Sequence, residues 1–176
     1  SGGSNFFEAH FARSANFSQA QFDRDSDAFF FRAQFNGPET WFNEAHFAAP
    51  AVFLQAEFTG TVQFDGALFQ DKASFREAKF RQNDPHDTVS FNGASFAALD
   101  LNSAQFEDKQ LDLSNTSYES LLALNFSPAV LVAPKNLDVH QAILRKLEGN
   151  FQLQGLVETT NEIIYWRYRV EREAKP

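Results

Sequence analysis

Between Phe42 and Phe80 the chain sets phenylalanine at positions 42, 47, 53, 58, 64, 69, 75 and 80, with gaps of 5, 6, 5, 6, 5, 6 and 5. Few folds accept a large aromatic at that beat. An 11-residue period fits three turns of an α-helix. However, Pro50, Gly60 and Gly66 lie inside the run, beside the β-branched Thr59, Thr61 and Val62. A proline in a helix interior costs about 3 kcal/mol. An antiparallel sandwich needs strands of about 5–6 residues with turn signals every 8–12, so a signal every five or six comes too soon.

A β-solenoid with very short sides remains. Most of these phenylalanines have a small or β-branched residue two places earlier: Ala45, Ala51, Ala56, Val62, Ala67, Ala73 and Ala78. Residues i and i+2 of an extended segment point the same way, so alanine and phenylalanine both face inward. The residue between them faces out, and the remaining two or three turn a corner. Four sides make one coil, and coils stack by β-type hydrogen bonds about 4.8 Å apart.

The tandem Ala-x-Phe-x-x unit resembles the pentapeptide-repeat family in its Phe-rich form. That resemblance spans roughly residues 4–123. It implies a mainly β chain: a right-handed quadrilateral β-helix of about five coils, followed here by two C-terminal α-helices. The regular six-residue spacings depart from the family pattern. The inward residues are placed at 6, 11, 17, 22; 30, 35, 42, 47; 53, 58, 64, 69; 75, 80, 86, 91; and 96, 101, 106, 113. With the sides named A to D, every A-to-B step is five. Extra residues fall at the B-to-C and D-to-A corners, where they can stack on one another. In this register Leu113 ends the fifth coil after a seven-residue step, and Tyr118 begins a partial sixth. Five coils make a rod of roughly 24 Å. Each fully buried phenylalanine contributes about 1.5–3 kcal/mol before entropy is subtracted. Such an interior leaves no space for a substrate, so function is expected on the outer faces, the loops or the tail.

The formal charge of −8 is uneven. Residues 1–125 hold 17 acidic against 8 basic side chains, and residues 126–176 hold 6 against 7. The shift marks a boundary, giving a solenoid over 4–125, a linker over 126–136 and a helical pair over 137–176. Residues 1–3, within "SGGS", read as an expression scar. The chain has no Met, so it reads as a fragment or a processed product. It has no Cys, which excludes disulfides, thiol catalysis and cysteine-ligated zinc. An acidic body argues against direct nucleic-acid binding. No apolar run approaches the ~20 residues that span a bilayer, so the reading is of a cytoplasmic, soluble piece.

Little in the sequence points to chemistry. His10 and His46 fall between inward residues and face solvent, and His140 lies in a helical stretch. His86 stands where side C should carry a phenylalanine, in "RQNDPHDTV". With Asp84 and Asp87 beside it, this loop is a candidate cation or acid–base site. A polar turn interrupting one face explains it better. The carboxylate pairs Asp25/Asp27 and Glu107/Asp108 lie in corners or loops and read as solvated. No phosphate loop, HExxH or GxSxG motif is present. No cofactor, metal or catalytic residue is expected. Most outward residues are polar or small. Side A is the exception, with Phe29, Phe31, Val52 and Leu54 forming a candidate contact surface, covered either by the tail or by a second copy in a homodimer. Trp41 and Leu68 are lone apolar residues.

After "SPAVLVAPKN" the period changes to 3.6. Asn136 can cap a helix starting at Leu137, with Ile143, Leu144, Leu147 and Phe151 as its apolar stripe and Gly155 beyond its end. A second helix, roughly 156–173, carries Ile163, Ile164, Trp166, Tyr168 and Val170. The pair is expected to close one end of the solenoid. Its sequence, "LRKLEGNFQLQGLVETTNEIIYWRYRV", resembles the helical connector of bacterial proteins in which a pentapeptide-repeat domain precedes membrane helices. That implies a membrane domain downstream, with Arg167, Arg169, Arg172 and Lys175 favouring the cytoplasmic side.

The expected function is therefore a non-enzymatic scaffold or protein–protein interaction module, the soluble part of a larger membrane-anchored protein. The alternative implied by the family is an acidic mimic of duplex DNA that binds a type II topoisomerase such as gyrase. The inward–outward assignment has a direct test in unfolding experiments. Phe58→Ala should cost about 3–5 kcal/mol through the cavity it leaves, and His46→Ala no more than ~0.5 kcal/mol. Similar melting shifts would overturn the assignment.

Overall fold

The computed structural model describes residues 3–25, 27–107, 110–124 and 126–173. Its body is a parallel β-solenoid of about five coils built from short strands. Two helices follow, α1 (Leu137–Leu153) and α2 (Val157–Glu173).

The inward phenylalanines form four columns. Column A stacks Phe6, Phe30, Phe53 and Phe75, and column B stacks Phe11, Phe35, Phe58, Phe80 and Phe106. Column C holds Phe17, Phe42, Phe64 and Phe91. Column D holds Phe22, Phe47, Phe69 and Phe96. Phe58 and its column neighbour Phe35 are fully buried. The alanine two places before most of these rings is buried beside it, as at Ala33, Ala56 and Ala78. Parallel pairing carries the same register from coil to coil. Ser4, Ala28, Ala51, Ala73, Leu99 and Leu121 align in column A.

Past Phe80 the register differs from the sequence reading. Val62 pairs with Val89, and Phe64 stacks on Phe91, so column C continues at Phe91 and not at His86. Every later position moves one column. Phe96 pairs with Phe69 in column D, and Tyr118 pairs with Phe96 above it. Leu101 donates to the Leu122 carbonyl in column A, so Ala123 opens the sixth coil and Tyr118 closes the fifth. The cause is the loop 82–88, an excursion at the B-to-C corner. It makes the step from Phe80 to Phe91 eleven residues long. Six plus five residues imitate the local beat, and only the cross-coil hydrogen bonds distinguish the two alignments.

In the observed register, the A-to-B and C-to-D steps are five residues in every coil. Each is closed by a hydrogen bond from residue i+3 to the inward residue's carbonyl. Ala9 to Phe6, Ala33 to Phe30, Ala67 to Phe64 and Thr116 to Leu113 are examples. The third residue of each turn has positive φ, as in a type II turn. Eight of these are not glycine, from Glu8 at 51° to Gln19 at 59°, and Gly66 and Gly93 occupy the same position in column C. The other two corners absorb length. At the D-to-A corner a register irregularity between Phe69 and Lys72 takes up one residue as the step shortens from six to five.

The helices cap one end. Asn136 accepts from the Asp138 and Val139 amides, and Gly155, at φ 69°, follows the end of α1. Leu144, Leu147 and Phe151 are buried in a cluster continuous with the solenoid interior. α1 crosses the end of the rod. Its Lys146 donates to the Thr116 carbonyl near column D, and Asn150 and Gln154 donate to the Leu121 carbonyl in column A. α2 is held to α1 by Arg167–Glu148 at 2.9 Å and to the linker by Ser127–Glu162 at 2.7 Å.

Two glycines separate backbone crowding from turn chemistry. A Cβ at Gly60 (φ 84°) would stand 2.3 Å from the Pro38 carbonyl oxygen of the coil before it, whereas at Gly66 (φ 66°) its nearest neighbour is Glu44 Cγ at 3.6 Å. Gly60→Ala should lower stability by at least about 2 kcal/mol in urea unfolding, more than the αL cost alone of roughly 1–2 kcal/mol. Gly66→Asn, which copies the residue type at Asn115, should stay within about 1 kcal/mol.

Candidate interaction surface

The turn geometry sets the outer surface. Residues with positive φ stack along each of the two tight corners, so their side chains form ladders. Along the A-to-B corner Glu8 pairs with Arg32 at 3.6 Å, Arg32 donates to Gln55 at 2.9 Å, and Gln55 donates to Glu77 at 2.8 Å. On the neighbouring face B, Lys79 meets Glu57 at 2.8 Å. The Lys79 hydrogen bond holds the Glu57 carboxyl below its ordinary range against a smaller opposing effect of burial. Face C carries similar contacts, Asn43 to Gln63 at 3.0 Å and Ser90 to Asp65. These faces spend their polar groups on each other.

Face A differs. Phe29 is 38% exposed, and Phe31, Val52 and Leu54 are half-buried. Phe29 and Val52 pair across coils, and Leu54 accepts from the Arg32 amide through its carbonyl, which seats the Phe31 and Leu54 turns on each other. The Arg32 guanidinium lies 4.9 Å from the Phe31 ring centroid. The structure thus brings all four residues to one face over two successive coils. It adds Phe7, 50% exposed and 5.5 Å from Phe31. Sequence reasoning missed Phe7 because it was absorbed into the first beat. Its place one residue past an inward phenylalanine, like Phe31 and Leu54, was the available signal. Farther along, face A turns polar at Ser74 and Arg76, and Asp100 is buried against Lys72 at 2.8 Å. It becomes apolar again at the exposed Leu122 and Leu124, which the register slip had hidden. The expectation that the tail covers the patch needs correcting: α1 lies across the far end of the rod, at Thr116 and Leu121, beyond coils one to three.

The loop 82–88 is organised by Asp87. Its carboxylate accepts from the Asn83 and Asp84 amides, both at 2.8 Å, and from the Thr61 hydroxyl at 2.9 Å. Asp84 in turn accepts from the His86 amide at 2.9 Å, and the His86 side chain is exposed. The carboxylates are occupied by the loop's own backbone. Among the described residues no three His, Asp or Glu side chains come together to hold a metal ion. His10 contacts Asn36 at 2.7 Å, and His46 contacts Gln21 at 3.0 Å, on different faces. Asp108 lies outside the described residues.

In the tail, Arg167 also reaches Glu171 at 3.3 Å, and Arg169 meets Glu173 at 2.9 Å. Tyr165 and Tyr168 are exposed. Lys175 lies outside the described residues. Among the described residues, no helix is long and apolar enough to cross a membrane.

The chain matches no protein-family model, no curated protein and no solved structure.

The loop gives a pH prediction. Burial works to raise the Asp87 carboxyl, but hydrogen bonds from Asp84, Asn83 and Thr61 overcome it and leave the group below its ordinary value of 3.8. A depressed carboxyl stabilises the fold above the unfolded value and loses that contribution as pH falls through the folded one. Amide protection at Asn83 and Asp84, followed by NMR, should therefore hold down to 3.8 and fall below it. Asp87→Asn should leave both amides weakly protected at every pH.

Proposed function

We propose that this chain is a non-enzymatic scaffold of the pentapeptide-repeat type, right-handed and four-sided, that docks a protein partner through face A. The observation that carries the reading is the contrast between faces. B and C close their polar groups into ladders, and the first three coils of face A present Phe7, Phe29, Phe31, Val52 and Leu54 side by side. Clustered apolar exposure rimmed by polar residues is characteristic of protein contact surfaces. The packed ring columns favour a surface role over a pocket-based one. Fold alone does not establish function, and the proposal rests on this surface.

A membrane-tethered parent protein is the setting we favour, with the solenoid on the cytoplasmic side. Support comes from the connector-like helices and from the exposed Tyr165 and Tyr168 beside Arg169. The second reading, an acidic mimic of duplex DNA acting on a type II topoisomerase, draws on the charge of −8. It is weakened by pairing, because Glu8 and Glu57 each meet a cation on the surface a mimic would present.

Two measurements separate these readings. Leu54→Lys combined with Phe31→Lys should abolish capture of the partner, or dissociate a homodimer in light scattering, with the solenoid still folded by circular dichroism. Unaltered capture and unaltered assembly would overturn face A as the docking surface. Inhibition of gyrase supercoiling, or protection of gyrase from quinolones, by the wild-type protein would instead establish the mimic.

A further inference from the structure

The outward residues of face A form two rows. One runs from Asn5 to Leu122 and is aligned by strand pairing. The other stands two residues later in each coil, from Phe7 to Leu124. From coil two onward the rows match in character within each coil. Phe29 shares its coil with Phe31, and Val52 with Leu54. Coils four and five are polar in both rows, with Ser74 beside Arg76 and Asp100 beside Asn102. Leu122 and Leu124 then follow, both exposed.

The rims of the face carry charge coil by coil as well. Asp27 stands two residues before Phe29, and Arg32 one residue after Phe31, so coil two has an acidic leading rim and a basic trailing rim. Coil four reverses both, with Lys72 two residues before Ser74 and Glu77 one after Arg76. Coil three is neutral at both, with Pro50 and Gln55. These charges reach solvent. The Arg32 side chain is 54% exposed although Glu8 lies 3.6 Å away, and the Lys72 side chain is 47% exposed although it holds Asp100. Asp27 meets no cation among the described residues.

A face with these properties complements itself. A two-fold axis parallel to the rod, set in front of face A, keeps every coil level with its counterpart and exchanges the two rows. Phe29 then meets the partner's Phe31, and Val52 the partner's Leu54, while polar coils meet polar coils. At the rims Asp27 meets the partner's Arg32, and Lys72 the partner's Glu77. An antiparallel axis across coil two sets Arg32 against Arg32 and Asp27 against Asp27, and like charges brought together oppose association. We infer that the occupant of face A is a second copy of this chain, lying side by side with the first and pointing the same way. The inference rests on face A being the docking surface, and it names what docks there.

Sedimentation velocity on the full chain, from about 10 μM to about 1 mM, tests it. One face roughly 24 Å tall is at the small end of specific interfaces, so the wild type should pass from monomer to dimer with a midpoint of about 10–100 μM. Arg32→Glu opposes two acids at each coil-two rim, and Asp27→Lys opposes two cations. Each variant alone should therefore dimerise at least about tenfold more weakly. An equimolar mixture of the two should recover the wild-type midpoint, because each rim again holds one acid and one cation. Recovery in the mixture also shows that both variants are folded. The inference is overturned by a wild type that stays monomeric at about 1 mM. It is equally overturned if either variant alone dimerises like the wild type, or if the mixture associates no better than its components. A monomeric wild type whose partner capture is still lost on Leu54→Lys with Phe31→Lys removes the second copy and leaves face A as the docking surface. A dimer indifferent to those two substitutions removes both.

Discussion

Everything in this molecule follows from one ring lying flat on the ring of the coil below. In column D the centroids of Phe22, Phe47 and Phe69 stand 4.5 Å apart with planes within a few degrees. That distance matches the spacing that parallel β hydrogen bonds impose on neighbouring strands. Offset stacking and the backbone ladder therefore ask for the same rise. Columns A and C, two steps apart along the coil, meet edge to face, as Phe42 does with Phe53 at 5.4 Å and 85°, and the neighbouring columns A and B meet at a tilt, as Phe53 does with Phe58 at 45°. The stacked and edge-to-face contacts suit the aromatic quadrupole. Stacked columns whose neighbours cross at an angle fill the interior mostly with Phe and Ala, with Thr40, Val62 and Val89 aligned in the small-residue position of column C and leucines in the last coils.

Fixing the rings fixes the corners. A five-residue step must reverse direction within one turn, and the i+3 to i hydrogen bond together with positive φ at the third position achieves it. An L-residue there is strained by roughly 1–2 kcal/mol, yet Glu, Gln, Arg, Ser and Asn fill the site in eight of ten turns. Their side chains then stack and hydrogen-bond along the rod, which offsets part of that strain. The same device gives the surface its character: corners dense in paired polar groups, and broad faces whose chemistry is set by the single residues between them. Face A became apolar over coils one to three simply because those outward positions hold Phe, Val and Leu.

The beat at Phe42–Phe80 and the alanines two residues before it made the solenoid, the inward–outward alternation and the apolar residues of face A legible. A period of two on a backbone that cannot be helical leaves no other arrangement. The caps of α1 were legible for a similar reason, since Asn136 and Gly155 act through their own local geometry. The contact of Lys146 with the Thr116 carbonyl gave no signal, because the two residues lie 30 apart and nothing local links the last coil to a particular side chain of a helix that crosses the rod's end.

What tertiary structure alone decided is the register beyond Phe80 and the place of the tail. His86 fits the local spacing as well as Phe91 does, because six and five residues sum to the same interval whether or not a column lies between them. Only the pairing of Val62 with Val89 and the stacking of Phe64 on Phe91 distinguish the two, and both are contacts between coils. The tail's amphipathic stripes demanded burial and left two addresses open, the end of the rod and face A. The exposed cross-section of the last coil, with its unpaired Thr116 and Leu121 carbonyls, decided between them, and the helices settled there and left face A open.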